Sequence, residues 1–141
     1  MTLDEKVDIS GFERRFLTLV MNSNITPREL AVYRILEQQE ATPDEIMNSL
    51  REIYHTEVPI ATFYLNLRKY STDGNVKKSV TRRTVRGGRE PHVYELTPQG
   101  RGLLAQFDSL KRDAPISERV IQFDDPKLYD LIVAFMTYIK H

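Results

Sequence analysis

The sequence predicts a mainly helical α+β fold, with helices first, then one two-stranded β-hairpin, then helices again. Three observations carry that expectation. Thr-Pro recurs at Thr26-Pro27, Thr42-Pro43 and Thr97-Pro98, each time ahead of an apolar-periodic stretch. A capping threonine followed by proline at the first helical position is a helix start. After Asn75 the apolar period changes from helical to alternating, the signature of strands. Gly87-Gly88 then separates two such runs, supplying the positive φ angles that a tight hairpin turn needs.

Taken in order, Phe12, Phe16, Leu19 and Val20 form an apolar stripe at i, i+4, i+7, i+8, which predicts a helix over about 11–22. Asn22-Ser23-Asn24 ends it. The second helix starts at Pro27 and runs to about Gln39, with Leu30, Tyr33 and either Ile35 or Leu36 inward. In the third, Glu45 stands three residues after Thr42, which completes a capping box. Ile46, Leu50, Ile53 and Tyr54 are expected to line its inner side, to about His55. Pro59 begins a fourth helix, in which Ile60, Phe63, Tyr64 and Leu67 fall at i, i+3, i+4, i+7 and are expected to face the core. It should end before Ser71-Thr-Asp-Gly-Asn75, which has turn chemistry. Val76–Val85 and "HVYEL" read as the two strands, with Tyr94 and Leu96 on one face and Val93 and Glu95 on the other. The helix after Pro98 turns Leu103, Leu104 and Phe107 inward. "KRDAPISERVIQFDDP" reads as a connector, and Asp125-Pro126 opens a last helix to Ile139, with Asp124-Asp125 read as capping rather than as a metal pair.

Three helices followed by a hairpin define a winged helix-turn-helix with added N- and C-terminal helices. The expected division is an N-terminal helical extension (1–24), a winged-helix domain (25–110), and a linker with a C-terminal helix (111–141).

Composition narrows the function. The chain has 141 residues and no cysteine, so thiolate metal sites and disulfides are excluded. No run of 18 apolar residues suggests a membrane span. The acidic start "MTLDEKVDIS" lacks the apolar segment of a signal peptide, and a cytoplasmic address is the default expectation. The three histidines (55, 92, 141) are not at zinc-ligand spacing. "VRGGRE" lacks the Lys-Ser/Thr of a phosphate-binding loop, and no serine stands in a nucleophile elbow. The expectation is a non-enzyme without cofactor or metal.

The zero net charge hides an asymmetry. Between Arg68 and Arg101 there are nine Lys/Arg against three acids, while the rest has eleven against seventeen. A basic segment in an acidic body is a localised anion-binding face; a solvated, charge-rich hairpin is the plainer reading. In a winged helix, the helix before the hairpin can enter the DNA major groove while the hairpin loop touches the backbone or minor groove. On that helix Ala61, Thr62, Leu65, Asn66, Arg68 and Lys69 would lie outward or on the flanks. Asn66 could pair with adenine and Arg68 with guanine; Thr62, near the helix start, suits a phosphate. Arg82, Arg83, Arg86 and Arg89 would lie along the wing, where a guanidinium can grip phosphate or enter a narrow minor groove.

"VPIATFYLNLRK" (58–69) and "GGREPHVYELTPQGRGLL" (87–104) resemble the recognition helix and the second wing strand with its following helix in the PadR-like family of transcriptional regulators. Thr62, Tyr64 and Leu67 match in the first stretch, and Tyr94, Leu96, Thr97, Pro98 and Gly100 in the second. The resemblance covers roughly residues 26–107. It departs at Pro59-Ile60, at Ala61 in place of glycine, and at Leu65, where proline is common. It implies a homodimeric repressor on a palindromic operator in double-stranded DNA, sometimes released by a small-molecule effector, with dimerisation through the C-terminal helix. Tyr64 joins the candidate DNA-contacting residues on this match. Tyr33, Phe107 and Phe135 are candidate aromatics for an effector pocket, or plain core. An open alternative is a winged-helix protein-interaction module whose basic wing meets an acidic partner.

Independently, Leu128, Leu131, Ile132, Phe135, Met136 and Ile139 stand at helical spacing, with Tyr129, Val133 and Tyr138 on other sides. A helix apolar on more than one face wants more than one partner, and a two-fold dimer is the commonest assembly. Light scattering at micromolar concentration should therefore give twice the 16.5 kDa chain mass; a particle of single-chain mass would rule the dimer out.

Overall fold

The computed structural model describes residues 3–80 and 92–112. Among them are five helices and a two-stranded antiparallel sheet, a mainly helical α+β arrangement: α1 (Leu3–Ser23), α2 (Pro27–Gln38), α3 (Pro43–Tyr54), α4 (Ile60–Thr72), β1 (Val76–Val80), β2 (His92–Leu96) and α5 (Pro98–Arg112). The Gly87-Gly88 turn, Val85, the connector beyond Arg112 and the last helix from Asp125-Pro126 lie outside the described residues; Lys111 and Arg112, expected in the connector, belong to α5. The chain divides into two compact units, Met1–Leu30 with Ala105–His141, and Ala31–Leu104.

In the first unit α1 begins eight residues earlier than the apolar stripe predicts. The added segment carries Asp4 and Glu5 in its first turn, which the positive end of the helix dipole favours, and it lacks proline. Asn24 stops the helix in a left-handed conformation (φ 54°), its amide donating to the Val20 carbonyl at 2.8 Å; asparagine tolerates that backbone better than most residues. Thr26 Oγ1 accepts from the Glu29 amide at 3.2 Å, the expected cap of α2. Phe16, Ile25, Leu30, Phe107 and Leu110 are the buried apolar residues of this unit. The side chain of Phe12 lies outside the described set.

The second unit holds the sheet. The capping box of α3 forms as expected: the Glu45 amide donates to Thr42 Oγ1 at 3.2 Å, and the Thr42 amide donates to Glu45 Oε1 at 2.8 Å. His55 ends α3 in a left-handed conformation, and the Thr56 amide reaches back to the Leu50 carbonyl at 3.0 Å. Ile46 and Leu50 are buried, but Ile53 is exposed and Tyr54 only half-buried. Their expected inward placement is corrected. The last turn of α3 has rotated past the core, and the cap, not apolar spacing, decides where it ends.

Helix α4 brings the larger correction. Its buried line is Phe63, Leu67 and Tyr70, with Tyr70 edge-on to Tyr33 at 5.6 Å between centroids. Ile60 and Tyr64, expected inward, are exposed. Tyr70 lies one turn beyond the stretch "IATFYLNL", so the apolar stripe was centred one turn too early. The helix also runs two residues into the expected turn, to Thr72.

The strands pair from Val76↔Leu96 to Val80↔His92. Val93, on the face of β2 that carries Glu95, is buried, as are Tyr94 and Leu96 on the other face. A further bridge joins Tyr94 to Ala41, in the α2–α3 connection. The Tyr94 amide donates to the Ala41 carbonyl at 2.8 Å, and its carbonyl accepts from the Ala41 amide at 3.1 Å.

The turn after α4 is locked to the start of α5. Gly74 takes φ 86°, a conformation nearly free for glycine alone. Asn75 is buried and tied to three neighbours: its amide donates to the Tyr70 carbonyl and its carbonyl accepts from the Thr97 amide, both at 3.1 Å, and its Oδ1 accepts from Gln99 Nε2 at 2.8 Å. Gln99 Nε2 also donates to the Asp73 carbonyl at 2.8 Å. Thr97 Oγ1 donates to the Gly74 carbonyl at 2.7 Å and accepts from the Gly100 amide at 3.1 Å, capping α5. Gly100 is needed for space: a Cβ there would strike the Asn75 carbonyl oxygen and come within 2.6 Å of Leu96 Cδ1.

Gly100→Ala should therefore lower stability by about 1–3 kcal/mol. Gly102→Ala, where a Cβ meets nothing within 4 Å, should raise it by about 0.5–1 kcal/mol through helix propensity. Urea denaturation of both variants checks the contrast; equal effects would mean that Gly100 is not sterically required.

Candidate nucleic-acid interface

The side of α4 opposite its buried line is fixed by helical geometry. Ala61, Thr62, Leu65, Arg68, Lys69 and Thr72 are all exposed there, with Tyr64 exposed at one edge and Asn66 half-buried at the other. Every helical candidate from the sequence (Thr62, Tyr64, Asn66, Arg68, Lys69) thus has some access to solvent. The wing candidates Arg82, Arg83, Arg86 and Arg89 lie outside the described residues, as do Leu128, Leu131, Ile132, Phe135, Met136 and Ile139.

The candidates differ in what already occupies them. Lys69 Nζ holds Asp73 Oδ2 at 2.8 Å, and the Thr72 hydroxyl donates to the Arg68 carbonyl at 2.9 Å. Arg68 has no carboxylate partner among the described residues. The first turn of α4 has no side-chain cap, because Pro59 precedes it. Its leading amides therefore lack a side-chain acceptor, with Thr62 beside them.

Strand β1 extends this basic surface. Lys77 and Lys78 are both exposed, yet they are not equivalent. Lys77 faces Glu95 in the register and pairs with it at 3.0 Å. Lys78 faces Tyr94 instead. Because the Tyr94 amide and carbonyl are spent on Ala41, the Lys78–Tyr94 pair is of the non-hydrogen-bonded kind, in which opposing side chains approach most closely. Lys78 was not singled out from the sequence. The available signal was the alternation of "VKKSV" against "HVYEL", in which only one of the two lysines meets a carboxylate.

Tyr94 is where helix and sheet meet. It is buried, and its hydroxyl lies within electrostatic reach of Tyr64 and Arg68, one turn apart on α4. Burial pushes the Tyr94 phenol above its ordinary 10.0; the neighbouring Tyr64 adds to the rise and the Arg68 cation opposes it. Tyr64 in turn leans edge-on to the buried Phe63 at 6.2 Å between centroids. Tyr94 therefore stands within electrostatic reach of Tyr64 and Arg68 of α4 and faces Lys78 across the strand pair.

The effector-pocket candidates Tyr33 and Phe107 are each fully buried, and Phe135 lies outside the described residues. Among the described residues no group of three His, Cys, Asp or Glu side chains could hold a metal ion, and no helix is long and apolar enough to cross a membrane. No protein-family model, curated protein or solved structure matches this chain.

The pH dependence of stability follows from Tyr94. With its folded pKa above the unfolded value, the fold favours the neutral phenol. That contribution is whole below about pH 10 and is lost as pH climbs through and beyond it. Tyr94→Phe should flatten the alkaline fall in the urea midpoint between about pH 8 and pH 11. An unchanged slope would assign the alkaline loss to other groups.

Proposed function

We propose that the protein is a sequence-specific, DNA-binding transcriptional regulator of the winged-helix kind, a dimeric repressor acting on a palindromic operator. The observation that carries this reading is the outward face of α4. It is exposed along its length, uncapped at its start, carries Arg68 without a carboxylate partner among the described residues, and lies near Tyr94, which faces Lys78 across the strand pair. The element order supports it too, since α2, α3 and α4 are followed by consecutive antiparallel strands, and the Ala41 bridge adds a third strand position before α3. A winged helix uses such a sheet to set its wing beside the reading helix.

In this reading α4 enters the major groove. Thr62 and the leading amides of α4 take a phosphate, and Arg68 meets guanine or phosphate. Lys78 and the arginines 82, 83, 86 and 89 carry backbone contacts away from the helix. The dimer, the cytoplasmic address, release by a small molecule and the absence of catalysis belong to the same proposal; repression and the palindrome rest on the resemblance to PadR-like regulators. The exposed Ile60 and Leu65 also support a second reading, an interaction module that offers this face to a protein.

Selection from a random duplex library at physiological salt separates the two. The intact protein should enrich a palindromic motif, with half-site spacing that reports the dimer geometry. The Arg86→Ala/Arg89→Ala variant should bind it more weakly, with the log–log salt slope reduced by about two. No enriched motif and equal binding by both proteins would favour the interaction module.

A further inference from the structure

We propose that Ala61 and Leu65 select thymine at defined positions of the binding site by packing against its C5 methyl group, so that this helix reads DNA largely through apolar contact. The inference rests on the DNA-binding reading above and adds what the helix reads. Opposite the buried Phe63, Leu67 and Tyr70 the outward meridian of α4 consists of Ala61, Leu65, Arg68 and Thr72. The Thr72 hydroxyl is bound to the Arg68 carbonyl, and beside the meridian Lys69 is held by Asp73. On this outward side polar readout is left to Thr62 near one end and Arg68 further along, with Leu65 between them, while Tyr64 and the half-buried Asn66 stand at the two edges. Leu65, 64% exposed, sits at the centre of that stretch.

Leucine and alanine offer no hydrogen bond to a base edge. The one apolar group that distinguishes a base pair in the major groove is the thymine methyl. The charge around this apolar centre fits that occupant. Arg68 lies one turn beyond Leu65, and Lys78 stands on the adjoining strand, where cations can meet phosphates while the centre of the helix meets bases. Burying one thymine methyl group is worth about a fourfold change in affinity.

The test uses two random duplex libraries, one built with thymine and one with uracil, which pairs identically but lacks the methyl. The intact protein should enrich from the first library a motif with fixed thymines in each half-site. The uracil copy of that motif should bind about fourfold more weakly for each methyl contacted. Leu65→Ala, which alters an exposed residue and leaves the core alone, should lower the thymine-to-uracil ratio by about fourfold, removing the Leu65 contact and leaving that of Ala61. A motif that binds equally well in both forms, or a ratio unchanged in Leu65→Ala, overturns the methyl readout and leaves DNA binding standing. No motif from either library, with no salt-dependent binding, overturns the DNA-binding reading itself and the inference with it.

Discussion

The geometry of the second unit depends on one buried amide. Asn75 sits where α4 ends, β1 begins and α5 starts, and each of its backbone groups, with its side-chain oxygen, is committed to a different neighbour. An unsatisfied polar group at such a place would cost about 1–3 kcal/mol, so the turn has one low-energy arrangement. Thr97, Gln99 and Gly100 supply that arrangement from β2 and α5. The short stretch "LTPQG" is therefore a set of mutually dependent parts: threonine to cap, proline to start the helix, glutamine to reach the turn, glycine to let it close. What the turn fixes is the direction in which α4 leaves the sheet, and with it the face that α4 shows to solvent.

That face mixes chemistries in a definite pattern. Of the cations without a carboxylate partner among the described residues, Arg68 lies on the outward meridian one turn from Leu65 and Lys78 stands on the sheet. The cations with partners, Lys69 and Lys77, are each held by a neighbouring acid. Exposed ion pairs of this kind add little to stability, about 0–1 kcal/mol. Their larger effect is to remove two charges from the field offered to an anion.

Much of this was legible in the sequence because it is written in local chemistry. The Thr-Pro starts, the capping box at Thr42 and Glu45, the end of α1 at Asn24 and the strand "HVYEL" each depend on residues within a few positions of one another, and each appears in the structure. The errors arose where packing decides. Phe63 and Leu67 are buried as expected, but Ile53, Ile60 and Tyr64, which fit the same apolar periods, are exposed and α4 adds Tyr70 to the core, because the tilt of a helix on its neighbours is set by contacts far away in sequence. The Ala41 bridge was invisible for the same reason, and the difference between Lys77 and Lys78 could be read from the strand alternation only once the register was known. Both follow from strand register, and register here is set from outside the strands, at Asn75 and Ala41.

The Ala41 bridge also bears on how this chain avoids its own kind. Two-stranded sheets expose edges that can recruit another strand, and an open edge invites aggregation. At the centre of β2 that edge is closed, since the Tyr94 amide and carbonyl are both occupied by Ala41. The partner strand β1 places Lys77 and Lys78 side by side, and strand-on-strand addition there would bring lysines of two copies together. A covered edge on one strand and a charged one on the other let the protein keep apolar residues such as Val80 and Leu65 exposed with a lowered risk of sheet-to-sheet association. The short connection between α2 and α3 thereby acts as a guard against self-adhesion as well as a joint.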